Sequence, residues 1–208
     1  MPLTTSKFPH RARAWIDAYD ARAAMARGHH DPHRFPNPAM KICEQKEAIM
    51  GMDVIGQKPT SKKGEYFYRN VWWWHPLAEY CIEIAPEIAA RCKGWHYNDG
   101  DGLNGQDSAA LADALEEEIR SGRCGAFAES LKAELTALPN ERCPFCEGTG
   151  VRVPAPERSA GDTATGLKCN ICDGSGVTRP GICAFPFKVE NVQAFVNFLR
   201  GCGGFSIW

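Results

Sequence analysis

The sequence carries almost no net charge. Lys and Arg together number 24 against 25 Asp and Glu, a formal balance of -1. A chain so balanced has no global field to draw it toward nucleic acid or an anionic membrane. It also lacks an apolar run long enough to span a bilayer. Its first residues, MPLTTSKFPHRARAW, lack the apolar centre of a secretory signal. The expectation is a cytoplasmic protein with no membrane partner. Familiar catalytic signatures are missing too: there is no Gly-x-Ser-x-Gly elbow, no His-Glu-x-x-His pair and no phosphate-binding P-loop. What remains is an ordinary folding balance, 44% hydrophobic and 24% charged over 208 residues. That suits one compact domain with an extension, or two small ones.

Cysteine is plentiful, with ten residues. Without an export signal these read as reduced thiols or metal ligands rather than disulfides. Cys43, Cys81, Cys92, Cys124, Cys183 and Cys202 stand singly and are expected to be small buried apolar residues. The other four form an internal repeat. Cys143-Pro-Phe-Cys146-Glu-Gly-Thr-Gly-Val is matched by Cys169-Asn-Ile-Cys172-Asp-Gly-Ser-Gly-Val. A CxxC turn offers two thiolates to one metal at tetrahedral spacing, so Cys143, Cys146, Cys169 and Cys172 are predicted to hold one structural Zn²⁺ in a closed site. The glycines that follow allow the backbone to turn its N–H groups back toward sulfur. Four thiolates and Zn²⁺ leave an excess of negative charge, which Arg142, Arg152, Lys168 and Arg179 flank and can offset. Two unrelated redox pairs are the alternative, and the matched tails argue against it. The 22 residues from Glu147 to Lys168 contain a loop, PAPERSAGDTATG, that absorbs the long spacing.

The repeat CxxCxGxG resembles the cysteine-rich zinc domain of DnaJ (Hsp40) co-chaperones, over residues 143–177. That resemblance implies zinc and a small β-ribbon. Such domains usually carry four repeats and two zinc ions; two repeats here imply one ion. The His-Pro-Asp triplet of a J-domain is absent. The stretches VWWWHPLAEYC, GWHYNDGDGL and FKVENVQAFVNFLRGCGGF resemble bacterial and bacteriophage proteins that carry such a zinc insertion.

Around the repeat, patterning predicts an α+β fold: a small sheet with three or four helices and a projecting zinc ribbon at about 141–180. Residues 1–40 read as an appended helix, with Trp15, Ile16, Tyr19 and Ala23 on one face, and a Pro/His-rich linker. The main domain is expected over 50–208. A strand near Val54 precedes a polar turn at Lys62–Gly64. A helix is expected from Pro76, with Leu77, Tyr80, Cys81 and Ile84 on one face. Residues 94–107 read as a loop, with Asp107 or Ser108 capping the next helix. The stripe Leu111, Leu115 and Ile119 and the stripe Phe127, Leu131 and Leu135 form a helical hairpin. A last helix carries Val192, Phe195, Val196 and Leu199 and stops at Gly201. The closing GGFSIW is expected to be a strand pairing with the one near Val54.

Two further clusters are candidates for contact with a partner or for chemistry. Trp72, Trp73, Trp74 and His75 cannot all face one core if the stretch is extended, so part of the run is expected at the surface as a partner platform. His96, Asn98, Asp99 and Asp101 form an acidic loop that fails the EF-hand spacing and reads either as a turn or as a ligand or hydrolytic site. His29, His30 and His33 read as surface polarity. The leading expectation is a non-enzymatic protein-interaction or adaptor protein. The alternatives are a nucleic-acid-binding zinc ribbon, for which residues 141–180 with five basic and five acidic side chains offer no electrostatic footprint, and an enzyme built around His96, Asp99 and Asp101.

Overall fold

The computed structural model describes residues 51–151 and 166–208. The expected N-terminal helix and linker, Cys43, His29, His30, His33 and Arg152 lie outside the described residues. The fold is α+β. Strand β1 (Gly51–Gly56) alternates, burying Met52 and Val54, and runs antiparallel to β2 (Tyr66–Asn70) with Val54 opposite Phe67. Strand β3 (Gly102–Asn104) lies within the stretch expected to be loop. The last strand of the fold, β6 (Gly204–Ile207), lies between β1 and β3, giving the order β2-β1-β6-β3. Ile207 faces Val54 and Phe205 faces Leu103, so the expected pairing of the closing segment with the first strand is present. Val54, Phe67, Leu103, Phe205 and Ile207 thus share the buried face.

Helices cover that face. Between β1 and β2, Lys62–Glu65 form a single helical turn, α1, where a polar turn was expected. Helix α2 (Val71–Ile84) starts five residues before Pro76. The reason is Asn70, whose side-chain oxygen accepts from the Trp73 N–H at 3.2 Å and so caps the helix ahead of the proline. The tryptophan run is therefore helical, not extended, and the alternation argued from an extended stretch does not apply. Pro86 opens the short helix α3 (Pro86–Ala89), where its missing N–H is harmless. Helix α4 (Gly105–Arg120) is capped by Asn104, which accepts from the Asp107 N–H at 2.9 Å. The expected caps Asp107 and Ser108 are instead buried, Asp107 receiving Arg91 and the Asn104 amide. Asn104→Ala is expected to cost about 1 kcal/mol in urea unfolding.

Gly122, in the left-handed region at φ 77°, joins α4 to α5 (Arg123–Ala137), and the two helices pack as neighbours. The main partner of α4 is α6 (Val189–Cys202). This last helix runs through Gly201, the expected stop, and ends at Gly203 with φ 61°. Gly201 is retained for packing: α1 crosses α6 so closely that a Cβ on Gly64 would lie 2.0 Å from the Gly201 carbonyl carbon. Gly64→Ala is expected to lower stability by about 1–3 kcal/mol through overpacking, read as a fall in the urea midpoint without a change in slope.

The core is aromatic. Trp74, Phe195, Phe198 and Phe205 are fully enclosed, with Phe195 and Trp74 edge to face at 5.7 Å and Trp95 stacked on Trp74 at 6.2 Å. Four of the five single cysteines among the described residues join this core, as the sequence suggested, and Cys183 is half-buried. Burial pushes the Cys124 thiol up to about 11 and the Cys92 thiol up to about 12, so both stay neutral packing groups at pH 7. No helix among the described residues is long and apolar enough to cross a membrane.

Candidate metal centre and adjoining groove

After α5 the chain leaves the main core through a two-stranded ribbon, β4 (Glu141–Arg142) with β5 (Val177–Thr178), and a bridge between Val151 and Lys168. The two cysteine repeats fill the space between, and their geometry is matched step for step. The Gly148 N–H donates to the Cys143 carbonyl at 3.2 Å, and the Gly174 N–H to that of Cys169 at 3.1 Å. The N–H groups of Gly150 and Gly176 reach the sulfurs of Cys146 and Cys172, both at 3.3 Å. Thr149 and Ser175 hydroxyls donate to the Cys146 and Cys172 carbonyls, both at 2.6 Å. The halves also exchange backbone bonds. The Cys143 N–H donates to the Gly176 carbonyl at 2.9 Å and the Cys169 N–H to the Gly150 carbonyl at 2.8 Å. The site is thus a quasi-twofold pair of knuckles.

The glycines are required by contact as well as conformation. Gly150 and Gly176 have φ of 71° and 76°, and a Cβ on either would sit 2.3 or 2.4 Å from a carbonyl oxygen of the opposite knuckle. At the centre, one sulfur from each of Cys143, Cys146, Cys169 and Cys172 lies within 4.8 Å of the other three, and all four residues are buried. They form a cluster separate from the main core. Four convergent sulfurs at this spacing can hold one metal ion, and soft thiolates in a closed tetrahedral set suit zinc. Burial resists charge on these thiols, yet at Cys172 the Gly176 N–H and the neighbouring thiols outweigh it and hold the group at about 6. At Cys143 burial prevails and pushes the thiol to about 11.

The basic residues divide by role. Arg142 and Lys168 each precede the first cysteine of a knuckle and lie over its glycine, Gly148 or Gly174. The Arg142 guanidinium donates to the Glu147 carbonyl at 2.6 Å, and Lys168 pairs with Asp173 at 2.7 Å. Arg179, expected to flank the metal, instead reaches α5, donating to the carbonyls of Leu138, at 2.7 Å, and Leu135. It ties the ribbon to the main fold.

That tie closes one side of a groove of about 1330 Å³ between the knuckles, α5 and the segment 181–188. Phe145 and Ile171, the equivalent third residues of the two CxxC turns, line it with Trp72, Leu135, Phe185 and Phe187. Trp72 packs edge-on to Phe185 at 4.9 Å. Charges of both signs stand at the rim, among them Glu129, Lys132, Arg179 and Glu190.

The tryptophan run is split by the helix. Trp72 lines the groove and Trp73 is half-buried beneath Lys188, whose ammonium lies 5.3 Å from its ring. Trp74 is wholly enclosed, its indole N–H donating to the Trp95 carbonyl at 2.6 Å, so it is core and not a partner contact. His75 meets His96, Nδ1 to Nδ1 at 2.6 Å, and His96 Nε2 meets the Glu79 carboxylate at 2.7 Å. Glu79 was not singled out in the sequence. Its spacing of four from His75 on α2 was the available signal.

The acidic loop satisfies itself. Asp101 accepts backbone N–H groups from Lys93, Gly94 and Gly102, which together outweigh partial burial and lower its pKa. Asp99 accepts from the Asp101 N–H at 3.1 Å, and the Asn98 amide donates to the Gly51 carbonyl at 3.1 Å. These carboxylates organise a turn and do not converge with His96. His96→Ala removes one hydrogen bond from each of Glu79 and His75 and is expected to cost about 1–3 kcal/mol, with metal content unchanged by elemental analysis.

Comparison with protein-family models, with curated proteins and with solved structures gives no match.

Proposed function

We propose that this chain is a zinc-braced protein-interaction module that seats an apolar peptide segment in the groove beside its metal centre. The observation that carries the reading is the placement of Phe145 and Ile171. They occupy the same position in the two knuckles, and both line the groove that Trp72, Phe185 and Phe187 complete. A closed four-sulfur site leaves no position for water or substrate, so the metal's role is to hold these two side chains in place. The knuckles are similar in motif to the DnaJ zinc repeat, and a peptide-binding role agrees with that likeness. The mixed rim charges disfavour a polyanion as ligand.

Panning a random peptide library on the zinc-loaded chain tests the reading. Selected peptides are expected to be rich in apolar and aromatic residues. Phe145→Glu is expected to lower their affinity by about tenfold or more, the loss of one well-buried anchor, with zinc content intact. Selection of polar sequences, or indifference to Phe145→Glu, would falsify it.

A further inference from the structure

Nine large hydrophobic side chains are exposed among the described residues. Phe145, Val151, Leu167 and Val177 belong to the metal ribbon, and Tyr97 lies in the loop before β3. Ile55, Tyr66, Tyr68 and Trp208 lie on the sheet face opposite the helices. Among the described residues, no helix covers this face.

Its centre is a cross-strand row. Asp53 pairs with Tyr68 on β2, and on its other side exchanges two backbone hydrogen bonds with Trp208, both 2.8 Å. Cα atoms of a hydrogen-bonded antiparallel pair, as Asp53 and Trp208 are, stand about 5.5 Å apart, and those of a non-hydrogen-bonded pair, as Asp53 and Tyr68 are, about 4.5 Å, so a carboxylate is flanked by two aromatic residues on one surface. Tyr68 is 37% exposed and Trp208 53%. Each ring lies against a glycine: a Cβ on Gly51 would collide with the Tyr68 ring, and one on Gly100 with the Trp208 indole. The indole is pinned by its N–H to Ser206 Oγ at 2.9 Å. The Tyr66 hydroxyl donates to one oxygen of Asp53, and no other hydrogen bond to that carboxylate occurs among the described residues. That contact first, then burial, pushes the Tyr66 hydroxyl up to about 12, so it remains a donor at neutral pH.

The charge of this face has one sign. Among the described residues, Asp53 is the sole charged side chain at its outward strand positions. Arg69, the one basic strand residue outside the metal ribbon among the described residues, turns to the other face, over the Phe67 ring at 4.3 Å and onto Asn191. A carboxylate flanked by two exposed aromatic residues suits a cation, because a planar guanidinium can stack on an aromatic while pairing with the acid. Nucleic acid stacked on the same aromatics would bring phosphate toward Asp53 with no basic strand residue to meet it.

We propose that the Tyr68–Asp53–Trp208 row is a docking site for an arginine side chain of an extended segment of a partner protein. It is separate from the groove beside the metal centre, and neither surface depends on the other. The test titrates the zinc-loaded full chain with the peptide acetyl-Gly-Arg-Gly-Arg-amide. Binding is followed by calorimetry and by the indole N–H resonance of Trp208, assigned through Trp208→Phe. The peptide is expected to bind and to shift that resonance. Asp53→Asn and Tyr68→Ala are each expected to weaken binding by about tenfold, and the exposed charge control Glu87→Gln to leave it unchanged. The lysine analogue is expected to bind more weakly. The proposal is overturned by absence of binding, by equal effects of Glu87→Gln and Asp53→Asn, or by preference for single-stranded oligouridylate. It is equally overturned if Asp53→Asn instead dissociates a dimer, because the face then serves a second copy of the chain.

Discussion

Protein purified without chelators is expected to contain about one zinc per chain, and Cys143→Ser or Cys172→Ser to weaken its retention by more than about a hundredfold. The effect is large because four sulfurs share one ion and, among the described residues, the two knuckles meet through few other bonds. Across the twofold there are two backbone hydrogen bonds at the cysteines, the Val151–Lys168 bridge and the short β4–β5 ladder. The cysteines form a cluster apart from the main core. Metal loss is therefore expected to loosen 141–151 and 166–178 while leaving the four-stranded sheet and its helices folded. Hydrogen exchange of the chelated protein reads this directly: amides of Gly150 and Gly176 should lose protection, and those of β1 and β6 should keep it. X-ray absorption is expected to show four sulfurs. Three sulfurs and one nitrogen or oxygen would open a coordination position and revive an enzyme reading. Simultaneous loss of protection in β1 would show that ribbon and sheet are one cooperative unit.

Trp74→Ala is expected to destabilise the fold by about 3–5 kcal/mol, the usual range for removing a buried large aromatic. Trp74 has no exposed surface, stacks on Trp95 and meets Phe195 edge to face. Its loss also removes the donor to the Trp95 carbonyl, leaving a buried acceptor with one partner fewer. Trp73→Ala, by contrast, removes a half-buried ring under Lys188 and is expected to cost markedly less. Urea unfolding of the two variants side by side gives the contrast. Equal losses would mean that the helix register assigned to the tryptophan run is wrong.

The metal ligands were readable because their signal is local: two thiols three residues apart, repeated with the same glycine tail. The α+β class and the apolar stripes of α4, α5 and α6 were readable from periodicity. So was the pairing of the last strand with the first, since Val54 and Ile207 alternate with polar or exposed neighbours. The misreadings share a cause. At Asn70 and Asn104 a side-chain cap begins a helix earlier than the nearest proline or acid suggested. At Gly201 a glycine that looked like a stop serves a close helix crossing. The Glu79–His96–His75 row needs His96 brought from another element onto α2, and the Tyr68–Asp53–Trp208 row needs the exact register of three strands. Alternation within one strand or helix fixes neither.

The place of β6 in the sheet has a consequence for synthesis. Translation delivers β2, β1 and β3 long before β6, yet β1 and β3 meet only through it. A nascent chain halted before Gly204 can form the β1–β2 hairpin and individual helices, but its sheet has no continuous centre. An isolated two-stranded hairpin is marginal in water. Folding of this unit is therefore expected to follow emergence of β6 from the ribosome rather than accompany elongation, and until then the aromatic core is exposed to whatever chaperones attend the exit site.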